Sequence, residues 1–194
     1  MCAFYDYDGE PIYIGQTYLG LSDRIGRHLT GRRSDPVAKN ILDPFEVAEV
    51  RVWPMDLSHL ANEDKEAELK AKKTELNRAE YTLYLKVIEE SSFDAVLNEK
   101  LPRTTDLITL PTDYRGRIIP EDIYPQRKHP DIRIARRAST IAALARVISE
   151  RKVGKRLRTI LLTQAKRLES LATKRLADFA GAPDEADDEL ESKD

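Results

Sequence analysis

Cysteine is almost missing from this chain of 194 residues, Cys2 being the only one. A lone thiol forms no intrachain disulfide and no thiolate metal cluster, which excludes a disulfide-stapled secreted domain. Long apolar runs are missing too, and none approaches the ~18–20 residues that span a bilayer, so no membrane partner is expected. The start, Met-Cys-Ala-Phe-Tyr-Asp, has neither a basic n-region nor an apolar h-region. A signal peptide is therefore not expected, and a reducing, cytoplasmic compartment is. No internal repeat is evident.

Net charge is nearly absent as well: 32 Lys and Arg face 34 Asp and Glu, for a formal −2. Alone, that balance argues against a nucleic-acid partner, since such domains usually carry excess positive charge. The average conceals a segregation. Residues 1–100 hold 13 basic and 19 acidic side chains, whereas residues 127–176 hold 15 basic and 3 acidic. The last eleven residues, from Asp184, hold 7 acidic and 1 basic. The chain has a basic arm and an acidic tail.

What is present allows one core, with 41% hydrophobic residues. Short aromatic and β-branched runs at 3–7 and 11–16 flank Asp8-Gly9, a hairpin-turn signal because glycine accepts positive φ. Ser22 or Asp23 can cap a helix over 23–30 ended by Gly31, and Asp35-Pro36 offers a helix through Leu42. Glu46 to Trp53 alternates as a third strand. From Asn62 to Glu90 neither Gly nor Pro occurs, predicting a long helix with a solvated start and an end that enters the core. The order is that of an α+β fold with a small three-stranded mixed or antiparallel sheet flanked by helices. Five prolines over 101–132 mark 103–133 as a linker or wrapping segment, and 134–151 and 155–179 read as a basic helical pair hinged at Val153-Gly154. The tail over 181–194 reads as disordered.

Tyr13-Ile14-Gly15-Gln16-Thr17 in the hairpin is followed by Arg24 and His28, whose spacing sets them one helical turn apart. Glu80 sits where the long helix becomes apolar, and Asn98 follows it. A tyrosine in a hairpin is usually a packing residue, and a glutamate among so many acids is usually solvated; only the joint spacing lifts this set above that reading. Arg27, Arg32 and Arg33 flank it as phosphate contacts or as an ordinary polar loop. His59 and His129 read as surface or linker histidines.

Over residues 1–102 this pattern resembles the GIY-YIG nuclease family: a hairpin with Tyr-Ile-Gly, a helix with Arg-x₃-His, a third strand, a helix with one Glu, and a later Asn. The family's first motif is missing or truncated, because eleven residues before Tyr13 stands Cys2. Either the natural chain begins upstream, or a tyrosine of the site has been lost. The resemblance implies a metal-dependent DNA endonuclease. Tyr13 would position or activate the attacking water, and Arg24 would clamp the phosphate with a fork that stays charged. His28 would orient the water or assist proton transfer. Glu80 would hold one Mg²⁺ (or Mn²⁺), a hard ion suited to carboxylate and water oxygens. Gly15 and Asn98 would serve structural or phosphate-side roles. DNA is the implied partner. The alternative is a catalytically impaired DNA-binding or protein-interaction module on the same fold. For the helical pair two readings stand open: its charges track a DNA backbone, or its leucine stripe packs two protomers as a homodimer or covers the first domain.

Overall fold

The computed structural model describes residues 1–17, 20–30 and 41–180, apart from the side chains at positions 21, 23, 24 and 28. The hairpin forms as β1 (Cys2–Tyr5) and β2 (Pro11–Gly15), and Gly9 takes the positive φ of 76° that its turn requires. Helix α1 (Leu21–Leu29) follows, then β3 (Glu49–Val52) and the long α2 (Lys65–Glu90). Asp64 caps α2 by accepting from the backbone N–H groups of Glu66 and Ala67. Strand β4 (Tyr114–Arg117), the short α3 (Tyr124–Lys128), α4 (Pro130–Glu150) and α5 (Lys155–Asp178) complete the order. The expected helix through Leu42 falls largely outside the described residues; Ile41 and Leu42 are buried.

Among the described residues the sheet has four strands, not the expected three, in the order β2-β1-β3-β4 and antiparallel throughout. The additional strand comes from the proline-rich segment. All four of its residues are exposed, so it shows no alternation of apolar and polar residues for a sequence reading to detect. It is an edge strand carrying Arg115 and Arg117, the kind of charged edge that resists pairing with a second chain.

Central strand β1 is buried on both sides, and its residues alternate between two cores. Ala3 and Tyr5 join Ile14, Trp53 and the stripe Leu76, Ala79, Leu83 and Val87 of α2. Cys2 and Phe4 join Ile12, Tyr13 and Val50 with Leu144 and Ile148 of α4 and Leu157 and Ile160 of α5. Each fully buried leucine or isoleucine is worth about 1.5–3 kcal/mol, so both layers contribute. The first half of α2 remains solvated, as its charge predicts.

The helical pair therefore covers the sheet, one of the two readings its stripe allowed. Its buried stripe on α5 also differs from an all-leucine one: Leu157, Ile160, Gln164, Arg167 and Leu171 point inward, while Leu176 is exposed. Three arginines of the basic arm are buried at the hairpin's turn. Arg137 and Arg167 both donate to Asp6 Oδ2, at 2.9 and 2.7 Å. Arg137 also holds Glu46, and Arg133 forks onto Asp8 at 3.2 and 2.7 Å. Three guanidinium charges meet three carboxylates, so this part of the arm is internally neutralised. Burial still pushes Arg167 below its ordinary range, with Asp6 pulling it back.

Candidate active site

Strand β2 begins irregularly. Phe4 pairs with Tyr13 but Tyr5 pairs with Pro11, leaving Ile12 as an extra, bulged residue. A bulge of this kind lets two successive side chains share one face, and Ile12 and Tyr13 both enter the core beneath α4 and α5. The rings of Phe4 and Tyr13 lie 5.4 Å apart across the hairpin. Tyr13 extends toward the end of the strand, over Gly15. A Cβ on Gly15 would stand 3.1 Å from Tyr13 Cε1 and 3.3 Å from its hydroxyl oxygen. Glycine is needed there for close approach rather than for an unusual φ.

On the opposite face Ile14 packs toward α2, and Gln16 has the same strand parity. Gln16 Nε2 donates to Asn77 Oδ1 at 2.9 Å and to Glu80 Oε2 at 3.0 Å. Asn77 and Glu80 are three residues apart on α2, hence neighbours on one face. The α-ammonium of Met1, which donates to the Trp53 carbonyl at 3.0 Å, feels the charge of Glu80. Burial lowers the pKa of that ammonium, and Cys2 and Glu80 offset the drop in part.

Asn98 closes the outer edge of β2. Its Oδ1 accepts from Ile14 N–H at 3.0 Å and its Nδ2 donates to the Ile14 carbonyl at 2.8 Å, while Leu97 N–H donates to the Ile12 carbonyl at 2.8 Å. The side chain thus satisfies both backbone groups of Ile14, as a neighbouring strand would. The carbonyls of Val96 and Asn98 accept in turn from Arg156 at 2.7 and 2.9 Å.

Helix α1 opens after Gly20 (φ 110°), and Ile25 and Leu29 pack against the core that holds Tyr13. Positions 24 and 28 both lie in α1, but the side chains of Arg24 and His28 are not among those described. Arg27 is exposed on the same helix, and Arg32, Arg33 and the tail from residue 181 lie outside the described residues. Tyr5 and Tyr7 go elsewhere. Tyr5 donates to Glu90 at 2.8 Å, and burial together with that carboxylate holds its hydroxyl well above the ordinary range. Tyr7 donates to the Phe45 carbonyl.

A hard cation can be tested against these residues. Among the described residues no three or more His, Cys, Asp or Glu side chains cluster as a ligand set. Gln16 Oε1, however, is buried without a hydrogen-bond donor, on the same amide that bonds Glu80. A carboxylate and an acceptor-only amide oxygen fit Mg²⁺, which keeps several waters and often binds through one or two carboxylates plus phosphate oxygens. Spacing alone gives Gln16 and Asn77 no role. Parity with Ile14 and the three-residue step to Glu80 were the signals available for them. No protein-family model, no curated protein and no solved structure matches the chain, and the site stands on the geometry of its own residues.

Proposed function

We propose that the chain is a metal-dependent DNA endonuclease with a GIY-YIG-type site built on the end of β2. What supports this reading above all is one juxtaposition: the phenol of Tyr13 over Gly15, with the next residue, Gln16, bonded to Glu80. At the end of β2 a phenol lies on one face and a carboxylate with an uncommitted amide oxygen on the other, groups whose chemistry suits a phosphodiester. In this reading Gly15 lets the phenol of Tyr13 lie close against the strand end. The Tyr13 oxygen positions the attacking water, Arg24 clamps the phosphoryl oxygens, and His28 orients the water or takes its proton. Glu80 and Gln16 hold the cation, which when bound supplies Lewis-acid stabilisation of the leaving oxygen.

The second reading, an impaired DNA-binding or interaction module, is favoured by Phe4. The ring that faces Tyr13 across the hairpin carries no hydroxyl.

Nicking of supercoiled plasmid in Mg²⁺ or Mn²⁺ separates the two. The endonuclease nicks, and Glu80→Ala and Arg24→Ala each lower the rate by about a hundredfold or more, the scale of one lost electrostatic stabiliser. Intact plasmid with the wild-type protein, or equal cutting by Glu80→Ala, overturns the nuclease reading.

A further inference from the structure

The fifteen basic side chains of residues 127–176 have very different fates in the fold. Arg133, Arg137 and Arg167 are buried against carboxylates, Arg136 forks onto Asp43, and Arg175 forks onto Asp131. Arg127 and Lys128 lie over the rings of Phe45 and Tyr124. Ion pairing thus neutralises five of the arm's arginines and leaves a concentrated remainder at the turn between α4 and α5. Residues 151–158 contain Arg151, Lys152, Lys155, Arg156 and Arg158 and no acid. Arg151, Lys152, Lys155 and Arg158 are exposed. Arg156 is half-buried, and the acceptors it holds are the neutral carbonyls of Val96 and Asn98.

The location matters as much as the charge. Arg156 fastens the turn to the segment that closes the edge of β2, through Asn98 and its two bonds to Ile14. Ile14 is two residues from Gln16, about 7 Å at ~3.3 Å per residue. Duplex DNA presents a negative charge every ~1.7 Å of its axis, so a duplex running from the end of β2 along this segment would carry several phosphates past the turn.

We propose that the α4–α5 turn is a docking surface for the phosphate backbone of double-stranded DNA, gripping it beside the bond held at the end of β2. The inference rests on the nuclease reading for its substrate, but binding and cutting test the two separately. The surface recognises phosphates without reading bases: its exposed groups are flexible point charges and forks on the turn and on the first residues of α5, suited to backbone contacts.

The test compares two full-length variants of equal charge change, Lys155→Glu/Arg158→Glu at the turn and Lys166→Glu/Lys174→Glu further along α5. All four side chains are exposed, and melting curves check that both variants fold. The probe is a fluorescent 30-base-pair duplex of arbitrary sequence, followed by anisotropy between 50 and 200 mM salt. The turn variant binds about tenfold more weakly, with a salt slope shallower by about 1.8, the value for two lost phosphate contacts. The distal variant changes little. Equal weakening by both variants, unchanged affinity of the turn variant, or no wild-type binding overturns the proposal. If the wild type binds but does not nick, and only the turn variant loses binding, the docking surface stands and the nuclease reading falls.

Discussion

Arg167 donates to Asp6 Oδ2 at 2.7 Å, joining the last helix to the first hairpin across 161 positions of sequence. Both side chains are almost wholly buried, and Arg137 donates to the same oxygen. Asp6 Oδ1 meanwhile accepts from the N–H groups of Asp8 and Glu10, fixing the turn. One carboxylate therefore shapes the hairpin and anchors two helices.

Asp6→Ala leaves two buried guanidinium groups short of a partner, and it should cost about 3–5 kcal/mol of stability. Urea unfolding measures this. A double-mutant cycle with Arg167→Ala should show coupling above about 0.5 kcal/mol; additive losses would mean that the pair contributes only bulk.

The neighbouring Asp8 gives the fold a dependence on pH. Burial pushes its carboxyl up, but the hydrogen bonds and charge of Arg133 outweigh that, leaving it below the ordinary carboxylate value. A lowered native pKa means that the ionised form stabilises the fold. That contribution is complete above the unfolded value near ~4 and is lost as pH falls through the native value. Asp8→Asn should therefore lower the Tm at pH 6 and flatten the decline of Tm between pH 4 and pH 2.5. A decline as steep as that of the wild type would assign acid sensitivity to other carboxylates.

Asn98 offers both an acceptor and a donor to Ile14. Asn98→Leu, of similar size, leaves two buried backbone groups unpaired and should cost about 2–4 kcal/mol. Hydrogen exchange at Ile14 should accelerate more than exchange in α2. Protection unchanged at Ile14 would show that the strand edge holds without this side chain.

Gly15→Ala tests the close approach at the site. The added Cβ meets the far end of Tyr13, a group that can yield, so the fold should lose less than about 1.5 kcal/mol. Displacing the phenol by a few tenths of an ångström should nonetheless lower nicking at least tenfold, since catalytic geometry tolerates little. Full activity with a normal Tm would remove the Tyr13–Gly15 arrangement from the mechanism.

Some of this is legible in the sequence itself. Asp8-Gly9 between two aromatic runs marked the hairpin, because only certain residues accept its turn. The unbroken helix formers before Glu90 marked α2, and Val153-Gly154 marked the break between α4 and α5. Local preference and periodicity act over a few residues, and these elements needed nothing more. Strand β4 was invisible for the same reason, since it buries no face and carries no period.

The joint spacing of Tyr13, Arg24, His28 and Glu80 likewise belongs to the sequence, as does the lopsided distribution of charge. Only the tertiary structure decided what that charge is for. Arg133, Arg137 and Arg167 look like part of a solvated basic arm until the hairpin supplies Asp6 and Asp8, and the segment before β3 supplies Glu46, from more than 80 positions away. Burial converts those charges into a lock and leaves the α4–α5 turn as the arm's densest exposed positive surface. Gln16 shows the same limit, being an ordinary polar residue until α2 brings Glu80 to within 3.0 Å of it. Ion pairing depends on distance and dielectric, which a linear sequence does not contain.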